Sequence, residues 1–168
     1  RDLEEGWLRH VSPAFVEDPL RVFRVARFAA CMPGFRVAPE TVEIMRGMRD
    51  EVDELAAERI FTEFRKALDA PAPERFIEVL RGAGCLYAWF GELWTVDDLP
   101  GGDALSRFGH LGMTLGEDKI GTLGRRIKVP NDFARLARQM ARHGEVLSQW
   151  REAGPEALYE AAESVLIR

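Results

Sequence analysis

The chain has 168 residues, of which 46% are hydrophobic and 30% are charged, with a formal net charge of -5. This length suffices for one substantial core or two small ones. The negative charge argues against a free-standing nucleic-acid binder, which usually carries a basic surplus. No apolar run approaches the roughly 18 residues of a membrane span, and the first residues lack the basic-then-apolar order of a signal peptide. We therefore expect a cytoplasmic protein with no membrane partner.

Helical periodicity dominates the chain and strand alternation is almost absent, which predicts an all-α protein. The first predicted helix covers residues 18–30 and has an apolar face opposite a charged one. A second helix should begin near Pro39, a favourable first-turn residue. A third contains the apolar positions from Ile60 to Leu68, and a fourth follows the break APAP at 70–73.

The polar stretch TVDDLPGGD, residues 95–103, is the best candidate for a linker because it combines a proline with two glycines. Helices are predicted beyond it around 103–115 and 117–127, and a strongly amphipathic one after Pro130. A last helix should follow the GP pair at 154–155. The pattern therefore predicts two helical subdomains.

The stretch EDPLRVFRVARFAA places two acids, Glu17 and Asp18, before Arg21, Arg24 and Arg27 at three-residue spacing. A solvated helix with a Glu17–Arg21 pair, worth a few tenths of a kcal/mol, is the simplest explanation. Arg24 and Arg27, however, have no acidic partner on the same predicted helix. The proline between Asp18 and the arginines also fixes the first turn, so that Asp18 and Arg21 are held one turn apart. We therefore treat this row as a candidate binding site.

With its flanks, the stretch LRHVSPAFVEDPLRVFRVARFAA closely resembles the start of the neck domain in bacterial tRNA nucleotidyltransferases. These are the CCA-adding enzymes of the class shared with bacterial poly(A) polymerases, and their Glu-Asp-x-x-Arg motif is matched by Glu17, Asp18 and Arg21. FRVAPETVEIM and ERIFTEFRKAL resemble later neck and body helices, so the resemblance covers about residues 1–95.

The resemblance implies a domain plan that divides the chain into three parts. Residues 1–11 would be a remnant of the connection between catalytic head and neck, and residues 12–98 the neck and body. Residues 99–168 would be a helical tail. The chain begins RDLEEGWLRHV, without an initiating Met, and we expect it to be a piece of a longer protein.

The resemblance also implies that Asp18 and Arg21 select CTP and ATP as a protein template, with Glu17 in a supporting role. Cytosine and adenine both present an exocyclic amine beside a ring-nitrogen acceptor, so a carboxylate can accept from the first and a guanidinium can donate to the second. Guanine and uracil reverse both groups. The remaining candidate positions, expected to contact phosphates or the tRNA backbone, are Arg9, Arg24 and Arg27.

The catalytic residues of the family are not expected in this chain. The resemblance implies a head domain with a Gly-rich turn and paired aspartates that bind two Mg²⁺ ions. Asp97, Asp98 and the stretch RDEVDEL at 49–55 are acidic, but no Gly-rich strand precedes them. We expect no catalytic residue and no metal ligand here, and we expect CTP, ATP, tRNA and the head domain as partners.

The stretch RFGHLGMTLGEDK, residues 107–119, is similar to the central helix of a phosphohydrolase domain that some family members append. Its His-Asp metal pair is replaced here by Met113 and Thr114, neither of which supplies an imidazole or a carboxylate. The tail is therefore predicted to be a degenerate His-Asp phosphohydrolase domain, kept for structure or tRNA contact. The three histidines do not pair with an acid at a ligand spacing; they are His10, His110 and His143.

Several smaller features have structural explanations. Cys31 and Cys85 lie in apolar surroundings, which predicts buried reduced thiols. The aromatic segment LYAWFGELW, residues 86–94, favours core packing over a base-stacking platform. Gly112 and Gly116 indicate helix crowding or a helix cap.

Two other functions remain open from the sequence. One is the C-terminal region of a poly(A) polymerase, which shares the Glu-Asp-x-x-Arg neck. The other, from a different class, is a non-catalytic helical interaction module. The flank LRHVSPAF and the modest charge favour CCA addition, since a processive RNA-tailing enzyme is expected to carry a more basic tail.

Overall fold

A computed structural model describes residues 1–148 together with residues 156 and 159. The chain divides into two compact units, one formed by Arg1–Leu99 with Arg126–Lys128 and the other by Pro100–Arg125 with Val129–Arg168. Helices make up most of the described part, and the all-α prediction is confirmed. The only strands within residues 1–148 are Trp7–Leu8 and Arg36–Val37, which pair in parallel.

The first unit contains six α-helices, which are α1 Asp2–Glu5, α2 Leu20–Cys31, α3 Pro39–Gly47, α4 Ala57–Leu68, α5 Glu74–Gly82 and α6 Leu86–Phe90. Three short 3₁₀ turns lie between them, at Pro13–Glu17, Val52–Glu54 and Gly91–Leu93. The predicted starts near Pro39 and after the APAP break agree with α3 and α5.

The core of the first unit forms where α2 packs against α4 and α5. Four phenylalanine rings, one from each of α2, α4, α5 and α6, meet there with centroids 4.6–6.5 Å apart. Such aromatic contacts add to the free energy gained from apolar burial. The apolar face of α2 is wholly buried, so its opposite face is the one left to carry charge; the buried residues are Leu20, Val22, Phe23, Ala26, Ala29 and Ala30.

The start of α2 differs from the prediction. The helix begins at Leu20 rather than at residue 18, because Asp18 has an extended backbone that ends the preceding 3₁₀ turn. A residue that precedes a proline is driven out of the helical region, and Pro19 has this effect on Asp18. Glu17 therefore belongs to the 3₁₀ turn and not to the charged face of α2.

The second unit contains α7 Ala104–Leu115, all of α8 Glu117–Arg126 except its last residue, and α9 Asn131–Ser148, and α7 packs along α9. A capping box starts α7: the Ser106 amide donates to Asp103 Oδ1 at 2.8 Å, and the Asp103 amide donates to Ser106 Oγ at 3.2 Å. The Ser106 hydroxyl and the Ser106 amide both donate to the Asp103 carboxylate and hold its pKa below the usual value. The predicted helix after Gly154 lies outside the described residues, apart from positions 156 and 159.

Gly112 allows the close crossing of α7 and α9. A Cβ atom at this position would lie 2.0 Å from the carbonyl oxygen of Ala137, which is backbone and cannot turn away. Gly116 ends α7 with φ +80°, a conformation that other residues rarely adopt. The two glycines thus act as a crossing residue and a helix cap respectively.

The Gly112→Ala variant should be clearly destabilised, since overpacking of this kind costs about 1–3 kcal/mol or more. The matched control is Gly121→Ala on α8, where the new methyl group would only approach Arg125 Nη1 at 3.5 Å. That variant should gain up to about 1 kcal/mol from helix propensity. Urea unfolding of both variants measures the difference, and equal midpoints would contradict the close crossing.

The two cysteines differ in their environment. Cys85 is buried, and burial raises the pKa of its thiol to about 11. Cys31 is only half-buried, so the prediction of burial is wrong at this position. It lies one helical turn after Arg27, at the charged edge of α2 rather than on the apolar face.

Candidate functional site

Asp18 lies just before α2, and one oxygen of its carboxylate is held by contacts with the protein. Oδ1 accepts a hydrogen bond from the Leu20 amide at 3.2 Å and lies 3.5 Å from Arg59 Nη2 of α4. No residue within 1–148 donates a hydrogen bond to Oδ2. The carboxylate is partly exposed, so this second oxygen can accept a hydrogen bond from a ligand.

Arg21 follows Asp18 by one turn, as predicted from the spacing, and its amide donates to the Asp18 carbonyl oxygen at 2.9 Å. Its Nη1 donates to the carbonyl oxygen of Ala14 in the 3₁₀ turn, which orients the guanidinium. The Nε and Nη2 groups remain as further donors. The expected Glu17–Arg21 pair is not formed in the described residues, because Glu17 lies outside the helix and is exposed.

Arg27 and Arg24 share an acidic partner that is not on their own helix. Arg27 Nε donates to Glu63 Oε2 of α4 at 2.7 Å, and Arg24 Nε lies 3.9 Å from Glu63 Oε1. The Glu63 side chain is only 6% exposed, so Arg27 neutralises a buried carboxylate. Arg24 is about half exposed and retains contact with solvent.

Glu63 and Arg59 lie one turn apart on α4, where Glu63 faces Arg27 of α2 and Arg59 faces Asp18 just before that helix. Sequence reasoning missed both of them. A signal for Glu63 was available, because it falls between Ile60 and Phe64 on the buried face of an amphipathic helix. A charged residue at such a position needs a partner of opposite charge.

Arg9 lies on the strand side of the site, away from the α2 row. Its Nε donates to Asp2 Oδ2 at 3.0 Å, and its Nη1 pairs with Glu40 at the start of α3. Arg9 is therefore held between two carboxylates. Its guanidinium remains partly exposed.

A pocket of about 400 Å³ lies between the charged face of α2 and the segment from Leu8 to Phe15. Its lining is mostly apolar, and the arginines at 9, 21 and 24 are at its edge. The segment is anchored by His10, whose backbone amide and Nδ1 contact Oγ1 of the fully buried Thr41 at 3.1 and 2.9 Å. Apolar walls with arginines beside them suit a flat ring that carries acceptors or a phosphate.

The tail positions predicted to have lost a metal site lie on α7. Thr114 Oγ1 donates to the His110 carbonyl oxygen at 3.1 Å, and Met113 packs close to Gly144 of α9. Among the residues described, no group of three or more His, Cys, Asp or Glu side chains could hold a metal ion. The relation of this unit to a phosphohydrolase domain remains a prediction.

A family model described as "Probable RNA and SrmB- binding site of polymerase A" matches residues 34–96. Among curated proteins, a Multifunctional CCA protein of Methylococcus capsulatus is 52% identical over 104 residues, which is 60% of this chain and 24% of the relative. One from Nitrosococcus oceani is 33% identical over 92% of this chain and 49% of the relative. A CCA-adding enzyme of Coxiella burnetii is 40% identical over 85% of this chain and 41% of the relative.

Solved structures agree on the fold. A "tRNA-processing enzyme (apo form I)" has a TM-score of 0.66 at 16% identity, covering 98% of this chain and 51% of that one. "The complex structure of CCA-adding enzyme with ATP" has a TM-score of 0.61 at 18% identity, covering 92% and 43%. The corresponding complex with CTP has a TM-score of 0.60 at 17% identity, covering 90% of this chain and 42% of that one.

These matches define the class of protein that the chain resembles: it is similar to a region of the tRNA nucleotidyltransferases and poly(A) polymerases, as its sequence indicated. Within that family it corresponds to a C-terminal region of CCA-adding enzymes. The chain spans between a quarter and a half of the length of these curated relatives. None of the helices described within it combines the length and apolar character needed to cross a bilayer.

Proposed function

We propose that this chain is the nucleotide-selecting and RNA-binding region of a tRNA nucleotidyltransferase that adds CCA to tRNA 3′ ends from CTP and ATP. The observation that carries the proposal is the placement of Asp18 and Arg21 one turn apart at the start of α2. A carboxylate oxygen that accepts no hydrogen bond from the protein lies there one turn from a guanidinium that has further donors available. The names of the curated relatives support the same activity.

The selection mechanism uses the complementary donors and acceptors of this pair. Asp18 Oδ2 accepts from the exocyclic amine of cytosine or adenine, and Arg21 donates to the adjacent ring nitrogen. Uracil and guanine place a carbonyl oxygen against the carboxylate and an N–H against the guanidinium, so both contacts become repulsive or unpaired. Arg59 and the Leu20 amide keep Asp18 oriented through its other oxygen.

The remaining candidate residues differ in how directly they would contact the ligand in this proposal. Arg24 is half exposed beside the pocket and is the best placed to meet a phosphate. Arg9 has the same role at the strand side. Arg27 acts mainly through its ion pair with the buried Glu63, and Glu17 contributes negative charge beside the template rather than a direct brace for Arg21.

The catalytic Mg²⁺ ions belong, in this proposal, to a head domain elsewhere in the protein. The described residues offer no cluster of carboxylates or imidazoles that fits such an ion. We assign residues 1–11 to the head–neck connection, 12–98 to the neck and body, and 99–168 to a helical tail that serves structure or tRNA contact. A tRNA-processing protein of this kind is expected in the cytoplasm.

A poly(A) polymerase is the second candidate, because the matching family model is described as a site of polymerase A. The RNA product that the complete protein makes distinguishes the two functions. The complete protein, given tRNA without its terminal CCA, should add CCA and stop. Untemplated A-tails on unrelated RNA would support the polymerase, and tRNA binding without any nucleotide addition would support a non-catalytic module.

The 168-residue chain by itself should bind tRNA but transfer no nucleotide, since the metal-binding carboxylates are expected on the head. Labelled CMP incorporation with Mg²⁺ measures this directly. The complete protein under the same conditions is the positive control. Incorporation of CMP by the isolated chain would show that catalytic residues lie within it. That result would overturn the assignment of catalysis to a separate head domain.

A further inference from the structure

The aromatic segment at residues 86–94 divides its large side chains between core and surface. Trp89 and Phe90 are buried, and Trp89 Nε1 donates to the Val52 carbonyl oxygen at 2.8 Å. Tyr87 and Trp94, in contrast, are 63% and 42% exposed. Core packing, which the sequence favoured, accounts for the first two residues but leaves the second two without an explanation.

The two exposed rings form an ordered stack. The Tyr87 and Trp94 centroids lie 4.9 Å apart with an interplanar angle of 23°. Gly91 makes room for the tyrosine, because a Cβ there would approach its ring to 3.2 Å. The Arg81 guanidinium lies 5.7 Å from the Trp94 centroid and is held by hydrogen bonds of 2.8 Å to Asp97 and to the backbone. A flat surface that is already ordered loses little entropy when a ligand stacks on it.

The arginines around this stack are already paired with carboxylates. Arg81 contacts Asp97, and Arg126 makes two hydrogen bonds of 2.7 Å to Glu92. Arg126 and Tyr87 also border an open depression of about 560 Å³. Because the nearby positive charge is balanced, this surface offers aromatic faces rather than a clamp for phosphates.

We propose that Tyr87 and Trp94 form a stacking site for an unpaired RNA base. The inference rests on the proposed function, in which this region engages RNA, and it names where a single-stranded part of that RNA would bind. Both rings fall within residues 34–96, the stretch that matches a model described as a probable RNA-binding site. Every base has a π-face, so the site tolerates different bases.

The test uses this 168-residue chain with a short, fluorescently labelled oligoadenylate. Tyr87→Ala and Trp94→Ala should each weaken binding by about 5- to 150-fold, the range for loss of one base–aromatic stack. Tyr87→Phe and Trp94→Phe keep an aromatic face and should bind nearly as the wild type does. The fold-change in affinity caused by Trp94→Ala should stay constant as the salt concentration is raised. The arginines beside the stack are paired with carboxylates, so binding at this site releases no counterions.

Tyr159→Ala is the matched control, since Tyr159 is 66% exposed and lies outside the stack. Circular dichroism of every variant confirms that the fold is retained. Alanine variants that bind oligoadenylate like the wild type would overturn the inference, assign the rings to a protein partner and leave the proposed function intact. A wild-type chain that binds neither oligoadenylate nor tRNA lacking CCA would overturn both.

Discussion

Asp18→Asn in the complete enzyme is expected to weaken base discrimination at the selection step. The asparagine Oδ1 can still accept from the Leu20 amide, so the start of α2 is preserved. At the place of the carboxylate Oδ2, which accepts a hydrogen bond, the asparagine has an amide nitrogen, which donates one. The exocyclic amine of cytosine or adenine then faces another donor, whereas the carbonyl oxygen of uracil or guanine gains a hydrogen-bond donor.

The size of this effect follows from the cost of an unpaired polar group. Leaving one buried donor unsatisfied costs about 1–3 kcal/mol, so kcat/KM for CTP and ATP should fall by roughly 5- to 150-fold. The CTP-to-UTP and ATP-to-GTP ratios should fall further, because the competing bases gain a hydrogen bond. Arg21→Ala should instead weaken CTP and ATP together by about 1–3 kcal/mol.

Steady-state kcat/KM for all four nucleotides, measured with tRNA acceptors that end before the CCA, tests both variants. The matched control is Asp50→Asn, the same chemical change at a residue that is almost fully exposed. Arg24→Ala should lower affinity with little effect on the ratios. If Asp18→Asn and Arg21→Ala both leave the ratios unchanged, α2 is not the template.

Glu63→Ala is expected to cause the largest loss of stability among the ion-pair variants. Its carboxylate is 6% exposed and Arg27 is 18% exposed, so removal of Glu63 leaves a largely buried guanidinium without its anion. Breaking a buried pair by removing one partner costs about 3–5 kcal/mol. Urea unfolding should therefore show a much lower midpoint than for the wild type.

Two further variants separate this ion pair from a general effect of lost charge. Glu58→Ala, on the same helix, breaks an exposed pair with Lys128 and should leave the midpoint nearly unchanged. The double variant Arg27→Ala, Glu63→Ala should be more stable than the sum of the single effects predicts, since no charge is left unpaired. Additive effects would mean that Glu63 and Arg27 do not depend on each other.

Much of the helical architecture was predictable from local pattern. Apolar spacing of three and four residues predicted α4, α5 and α9, because a helix that buries one face requires that spacing in its own sequence, and Pro39 indicated the start of α3. The Glu-Asp-x-x-Arg motif with its flanks was sufficient to indicate the family, and the comparisons confirm that resemblance. The placement of Asp18 and Arg21 one turn apart is likewise a local property.

Contacts between helices were not predictable in this way. Glu63 lies 36 residues from Arg27, and nothing in either segment specifies which face of α4 meets which face of α2. The same limit applies to residues 86–94, where composition predicts burial but only packing decides that Trp89 turns inward and Trp94 outward. Local sequence determined the helices and the placement of Asp18 one turn before Arg21, because both depend on residues close together in the chain. Tertiary structure decided which charges are paired and which rings are free to bind, because those properties depend on what the rest of the chain brings against them.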